Sequence, residues 1–423
     1  MKELEVFLYN KKLGNLIEVD GIIHFSIETS WDIYNKNVSP LVLKPGKNTL
    51  YSNKENMKRQ GLLGCFFDSL PDKYGMTLMD NYFKTQNIDP NYISLLDRLM
   101  FIGDRGIGAL EYKPKLNDDI IEEKIISVKY LKDYSRKILN EEMEDIGPTT
   151  ISNIVDTASP IGGGRPKIMV LYNYSTKEIM YNVENKPKNF KRSILKFDEE
   201  IYGKSKGTTK IEYVYMNLLK ELGVNTPKVS LIEDNNETHF LIDRFDRDEQ
   251  DNKIHVTTAA SLLEKEIFYK NHSSYEELFR LTKILTKNQQ EIEELYIRMI
   301  FNLLSFNNDD HLKNFSYIME ENGNWKLSPV YDVTYSVGAT TREHLISLNG
   351  KNSNFQLNDF LKIAKDNNIK DKTAKNIIKD VISKIEEIIP RISKLGVLEQ
   401  TISGMELYIY PQLEEIKKNF KNY

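Results

Sequence analysis

Asn307, Asn308, Asp309, Asp310 and His311 stand in a run, followed by Leu312, Lys313 and Asn314. Asp309 and Asn314 have the Asp-x4-Asn spacing of a protein-kinase catalytic loop, and Asp332, in Pro329-Val330-Tyr331-Asp332, follows eighteen residues after Asn314. Phosphoryl transfer needs a carboxylate to orient or deprotonate the attacking hydroxyl, and oxygen donors to hold Mg2+ across nucleotide phosphates. Asp309, Asn314 and Asp332 are those donors. Standing alone, an Asn-Asn-Asp-Asp run is ordinarily a solvated turn, so the reading depends on what precedes it.

Upstream companions support it. Gly162-Gly163-Gly164-Arg165-Pro166-Lys167 is a glycine-rich turn running into a strand, where backbone N–H groups and two cations, Arg165 and Lys167, can face phosphates. It lacks the Gly-x4-Gly-Lys-Ser/Thr spacing of a P-loop, which disfavours that NTPase class. Lys196 closes the apolar run Ser193-Ile194-Leu195, where an ATP-binding lysine would emerge; a snorkelling strand-end lysine is the commoner alternative. Glu212 on the next helix is a candidate ion-pair partner for Lys196, against the alternative of a surface glutamate. Glycine loop, strand lysine, helix glutamate, strand pair, helical region, Asp-x4-Asn and metal aspartate is the order of a two-lobed kinase.

The elements that must position these groups follow from periodicity. Alternation predicts strands over residues 4–9, 15–19 and 22–27, with a turn at Asn10-Lys11-Lys12. Helical spacing from Leu62 to Phe83 is broken at Leu70-Pro71-Asp72-Lys73-Tyr74-Gly75, and a further helix is expected from Tyr92 to Ile102. Strands are predicted over 167–172, 193–197, 229–232 and 239–245, the last two around a turn at Asp234-Asn235-Asn236, with a helix from Lys210 to Leu222. Helices then dominate: 259–263, 275–285, 289–304 and 371–389. Ile292, Leu295, Met299 and Leu303 place one apolar face on the helix that delivers the polar loop.

With 423 residues and 40% hydrophobic composition, the chain has material for two or three domain-sized units. The net charge of −4 gives no global electrostatic reason to bind nucleic acid or anionic membrane. Cys65 is the only cysteine, which excludes an internal disulfide and a cysteine-based zinc site and suits a reducing compartment. The six histidines form no ligand-spaced pair, so a zinc site is not expected. Neither a signal peptide nor an apolar membrane span is legible, and a cytoplasmic protein is expected.

Together these residues resemble the HipA-type serine/threonine kinase toxins of bacterial type II toxin–antitoxin systems. The resemblance rests on Phe67-Asp68-Ser69-Leu70-Pro71-Asp72, the loop from Gly162 to Lys167, Asp243-Arg244-Phe245-Asp246-Arg247, Asn307 to Ser316, and Ser328 to Asp332, and it covers nearly the whole chain. It implies an α+β, two-lobed protein-kinase-like fold with a small β-rich amino-terminal subdomain (1–120), a kinase N-lobe-like part (121–255) and a mainly helical C-lobe (256–423). It further implies that Asp309 is the catalytic carboxylate, that Asn314 and Asp332 bind Mg2+, that Lys196 holds ATP phosphates, and that the segment from Asp243 to Phe245 lines the adenine pocket.

Family members phosphorylate a serine just before the glycine loop and thereby silence themselves. That serine stands seven residues before the loop lysine, whereas here Pro160 holds that place and Ser159, the nearest candidate, lies eight before Lys167. The expected partners are a HipB-like DNA-binding antitoxin and a protein substrate such as an aminoacyl-tRNA synthetase, with DNA contact mainly through the antitoxin. Residues 1–120 and the helices after Asn354 are the expected docking surfaces. Two other readings stay open: a catalytically weak corepressor scaffold, and transfer of AMP in place of phosphate.

Overall fold

The computed structural model describes residues 2–44, 50–53, 57–116, 124–198, 200–201, 204–205, 207–234, 237–266, 272–337 and 343–421. The chain divides into two compact units, each assembled from separated segments. The first comprises Met1–Phe197, Leu241–Glu264 and Ile318–Asn324; the second comprises Asp198–Phe240, Lys265–Tyr317 and Trp325–Tyr423. The boundary expected near residue 120 lies outside the described residues.

The first unit opens with an antiparallel sheet of β1 (Lys2–Leu8), β2 (Lys11–Val19), β3 (Ile22–Ile27), β4 (Leu50–Tyr51) and β5 (Leu110–Lys113), in the order β4-β3-β2-β1-β5. Leu4, Val6 and Leu8 are buried while the intervening side chains face outward, the period of a half-covered strand. The first turn is Tyr9-Asn10 and not the expected Asn10-Lys11-Lys12: both residues have positive φ (51° and 59°), as a two-residue hairpin turn requires, so Lys11 and Lys12 already belong to β2. Asp20 and Gly21 repeat the device (51° and 74°). Gly14 of β2 has no room for a side chain, since a Cβ would meet the Ser26 carbonyl at 2.1 Å.

Two short helices, Gly64–Phe67 and Ala259–Leu262, pack together in this unit. Asp68 ties them, its carboxylate accepting from the Thr258 amide at 2.7 Å and the Thr258 hydroxyl at 3.0 Å. Beyond lie Lys73–Thr85 and Leu95–Ile102. The latter starts later than expected because Ser94 and Asp97 form a reciprocal cap at its amino end. Val128–Leu139 and Pro148–Ala158 pack on Lys73–Thr85, and Pro148–Ala158 also covers a second set of strands. There β6 (Ile125–Ile126), β8 (Ile179–Tyr181), β7 (Lys167–Tyr172) and β9 (Lys191–Lys196) lie in that order. Every residue of β7 is buried, the signature of a strand covered on both faces.

The second unit is mainly helical. Gln289–Leu304 is its axis and contacts Tyr275–Thr286, Asp371–Glu386 and Glu399–Lys421. The expected face, Ile292, Leu295, Met299 and Leu303, is buried, but so are Tyr296, Arg298, Ile300, Phe301 and Asn302. The helix is therefore enclosed all round and not amphipathic. Its buried cation is compensated by Glu294, to which Arg298 donates one turn away, and by the Ser328 carbonyl at 2.7 Å. The single helix expected over 371–389 is two, Asp371–Glu386 and Ile388–Lys394, because Pro390 has no N–H to continue the first. Thr208–Glu221 packs on the strand Val229–Asp234, whose neighbour Glu237–Asp243 begins in this unit and ends in the first. The strand stops before Phe245, and the Asn235-Asn236 part of the expected turn lies outside the described residues. Among the described residues, no helix is long and apolar enough to cross a membrane.

Candidate active site

Each unit carries its own share of the implicated residues. In the second, the helix Gln289–Leu304 ends at Ser305, and Phe306 takes a left-handed φ of 59° that turns the chain out of the helix. Asn307 folds back, its amide donating to the Asn302 carbonyl at 3.0 Å and its side chain to Asn302 Oδ1 at 3.1 Å. The two aspartates that follow differ sharply: the Asp309 side chain is 57% exposed and that of Asp310 is 0% exposed.

Asp310 is consumed internally. Its Oδ2 accepts from the Tyr275 hydroxyl at 2.8 Å and lies 3.1 Å from His344 Nδ1, while Oδ1 accepts from the Leu345 amide at 3.0 Å. A carboxylate so buried and saturated is a structural anchor. Asp309 is the one turned to solvent, with His311 Nε2 3.9 Å from its Oδ1. A short 3-10 turn, Leu312–Asn314, follows, and Leu312 is its buried pin. The Asn314 amide nitrogen donates to the Asp309 main-chain carbonyl at 2.8 Å. That bond fixes which end of the amide is nitrogen and leaves the oxygen as the end that can meet a cation.

Asp332 has a left-handed φ of 56°, a conformation that Asp reaches more readily than most residues. Flanking it, the Val330 amide donates to the Asn225 carbonyl at 2.9 Å, and the Tyr331 hydroxyl reaches the Lys313 carbonyl at 2.6 Å and the Ser316 hydroxyl. Tyr331 thereby ties the segment carrying Asp332 to the turn that ends in Asn314. Among the described residues no group of three His, Cys, Asp or Glu side chains could hold a metal by itself. Mg2+ asks for less: one carboxylate, a further oxygen and nucleotide phosphates meet its habit, and Asp332 with the Asn314 amide oxygen fits that donor set. Glu212, also in this unit, is 2% exposed, unlike a surface glutamate.

In the first unit the glycine loop is tied at two points. The Gly163 amide donates to the Asp72 carboxylate at 2.6 Å, and Lys167 Nζ donates to the Gly162 carbonyl at 2.9 Å. Gly163 has φ +96° and faces Lys167 Nζ so closely that a Cβ would lie 2.4 Å from it. Lys167 and Lys196 are cross-strand partners in the β7–β9 register, and both are buried (5% and 8% exposed). Both lysines thus lie on adjacent strands at the end of the glycine loop.

Asp243 accepts from the Tyr174 hydroxyl at 2.7 Å and the Ser193 hydroxyl at 2.8 Å. Beyond Phe245, Asp246 receives Arg244 and Arg247, each at 2.7 Å, and the Gly108 amide at 2.8 Å. Burial alone would raise the Asp246 carboxyl, but the two guanidinium groups and the N–H bond outweigh it and hold the group well below the usual carboxylate range. The Gly103–Ala109 loop is thus a structural tie. Ser159 ends the helix Pro148–Ala158 with its hydroxyl buried and its carbonyl pressed on Gly75, where a Cβ would stand 2.3 Å away.

The roles of Asp72, Asp310, Tyr275 and His344 rest on contacts that the local sequence does not announce. Asp72 stands in the Phe67–Asp72 motif, and its bond to the Gly163 amide shows its use. His344 carried no signal at all, because its partner lies 34 residues away.

Comparison with known proteins then decides the family. A family described as the HipA-like C-terminal domain matches residues 159–389, and the HipA N-terminal domain matches residues 4–113. The chain belongs to the HipA family. A chain of the Shewanella oneidensis MR-1 toxin–antitoxin complex of HipA, HipB and operator DNA shares the HipA fold across 98% of this chain and 97% of its own, with a TM-score of 0.68 at 16% identity. The expected fold, β-rich at the amino end and helical towards the carboxy end, is therefore that of HipA. A Haemophilus influenzae protein named a putative kinase is 30% identical over 185 residues. That match covers 41% of this HipA-family chain and about half (51%) of the relative's own length.

Proposed function

We propose that this HipA-family chain is an ATP- and Mg2+-dependent serine/threonine protein kinase that acts as the toxin of a toxin–antitoxin module. The observation that carries the reading is the division of labour between adjacent aspartates: Asp309 exposed beside an amide-pinned Asn314, Asp310 buried as anchor.

ATP bound with Mg2+ supplies the transferable phosphoryl group and the cation that neutralises charge on it. Asn314 and Asp332 would hold the cation, and the Gly162–Lys167 loop with Lys196 would hold the phosphates. Asp309 orients the attacking serine or threonine hydroxyl and accepts its proton. In this reading Lys167, Lys196 and the tied glycine loop would position the phosphoryl donor, so that positioning and electrostatics would do most of the catalytic work.

The substrate we propose is an aminoacyl-tRNA synthetase or another translation component, and the partner a HipB-like DNA-binding antitoxin. The Shewanella complex contains such a partner together with operator DNA, and the net charge of −4 is consistent with DNA affinity residing mainly in the antitoxin.

The test is incubation with Mg-ATP and candidate synthetases, read by intact mass. Addition of phosphate by the wild-type chain and its loss in Asp309→Asn is the expected result. Addition of an AMP moiety would replace phosphotransfer with adenylylation, and equal phosphate addition by wild type and Asp309→Asn would remove the assignment.

A further inference from the structure

The buried network behind the loop does more than fill space. Asn307, Asn302, Tyr275, Asp310 and His344 form a continuous chain of hydrogen bonds within the second unit. Asn307 bonds Asn302 at 3.1 Å, Asn302 reaches the Tyr275 hydroxyl at 3.4 Å, and that hydroxyl donates to Asp310 at 2.8 Å. Asp310 then meets His344 Nδ1 at 3.1 Å and the amides of Leu345 and Ile346 at 3.0 and 3.4 Å. The chain grips both Asn307 and Asp310, so the short stretch between them, which contains Asp309, is fixed at each end.

The polar groups have no solvent alternative: Tyr275, Asp310 and His344 are 0%, 0% and 3% exposed. His344 Nε2 is buried with no hydrogen-bond partner among the described residues, so Nδ1 is the nitrogen that carries the proton and donates. Its ring stands between Phe306 and Phe355, at centroid distances of 6.5 and 5.6 Å, which sets its plane. Removing one donor leaves a buried carboxylate oxygen short of a partner, and its backbone shifts to recover one. The next residue along that backbone is Asp309.

We propose that Asp310, His344 and Tyr275 are positioning residues that set the Asp309 carboxylate for proton acceptance without touching nucleotide or substrate. This rests on the kinase reading above. The expected signature is a loss in kcat with the KM for Mg-ATP unchanged, because the residues assigned to phosphate and cation are left intact.

The experiment measures kcat, KM for Mg-ATP and thermal midpoint for wild type, His344→Leu, His344→Asn and Tyr275→Phe, on any protein hydroxyl substrate the wild type accepts. His344→Leu and Tyr275→Phe are expected to lose about tenfold or more in kcat with KM within about twofold, the scale of one hydrogen bond to a charged group. His344→Asn, whose amide nitrogen can occupy the place of Nδ1, is expected to regain most of the rate. Tyr275→Phe keeps the ring and its packing, so it decides the matter where His344→Leu does not fold.

Two results would overturn the proposal. One is full kcat in folded His344→Leu and Tyr275→Phe; the other is loss without rescue, with kcat and thermal midpoint falling while KM rises. A wild-type chain that transfers no phosphate would instead fail the kinase reading, and an Asp309→Asn variant that still transfers it would remove Asp309 as proton acceptor; each is separable from either result.

Discussion

The side-chain amide of Asn314 donates to the main-chain carbonyl of Asp309 at 2.8 Å. One bond thus links the proposed proton acceptor to a proposed cation ligand and fixes the amide so that its oxygen is the end free to turn. Asn314→Leu removes both the donor and the oxygen. It is expected to raise the Mg2+ concentration for half-maximal transfer at least about tenfold, whereas Asp309→Asn is expected to leave Mg-nucleotide binding within about twofold of wild type and abolish transfer. Calorimetric titration with Mg2+ and a non-transferable ATP analogue separates the two; equal losses of binding in both variants would refute the division of roles.

Gly163 gives a second prediction. A methyl group there meets only the tip of Lys167, which can move, but the φ of +96° cannot be relieved so simply. Gly163→Ala is expected to destabilise the fold by about 1 kcal/mol and, by displacing Lys167 from the Gly162 carbonyl, to raise the KM for ATP. Asp72→Ala should reproduce the KM effect without the backbone strain, because it releases the Gly163 amide from the other side. Unchanged KM in both variants would separate this loop from nucleotide binding.

Much of this arrangement was legible in the sequence, and what was not has physical reasons. The strand Lys167–Tyr172 is legible because Ile168 to Tyr172 form an unbroken apolar run. The helix Pro148–Ala158 is not legible, because from Ile151 onward it is buried and includes Ser152, Asn153, Asp156 and Thr157, so no polar face alternates with an apolar one. Asp156 is tolerated there by an ion pair to Arg105 at 3.1 Å, a contact no local pattern announces. The Asp-x4-Asn spacing singled out Asp309, yet the anchoring role of Asp310 depends on Tyr275 and His344, each more than thirty residues away. Segment-by-segment reading also assumes consecutive domains, whereas Ile318–Asn324 returns to the first unit, with the Met319 carbonyl bound by the Tyr9 hydroxyl at 2.6 Å.

His255 supplies a pH dependence. Burial pushes its imidazole down to about 3, opposed weakly by a bond to the Val38 backbone, and its Nε2 lies 2.9 Å from the Thr257 hydroxyl. Because the folded value lies below the unfolded value of about 6.5, the unfolded chain binds more protons between them. The stability contribution is complete above pH ~6.5 and is lost as pH falls towards about 3. His255→Gln, which cannot titrate, is expected to flatten the decline in urea midpoint between pH ~7 and ~5 relative to wild type. Parallel declines in the two proteins would exclude His255 as a source of the acid limb.

Ser159 makes the last prediction, about access and not chemistry. It is 0% exposed, its amide donates to the Val155 carbonyl at 2.9 Å, and Gly75 packs on its own carbonyl. A kinase cannot reach a hydroxyl in that setting until the end of the helix Pro148–Ala158 opens, so modification must follow the opening equilibrium. Gly75→Ala places a methyl group 2.3 Å from the Ser159 carbonyl, a backbone atom that can move only by loosening this packing. Phosphosite mapping over time in Mg-ATP is therefore expected to find Ser159 modified slowly in the wild type and severalfold faster in Gly75→Ala, with amide exchange across residues 155–161 accelerated in step. Faster exchange in Gly75→Ala with Ser159 still unmodified would show that exposure is not what limits it and would remove Ser159 as a self-phosphorylation site.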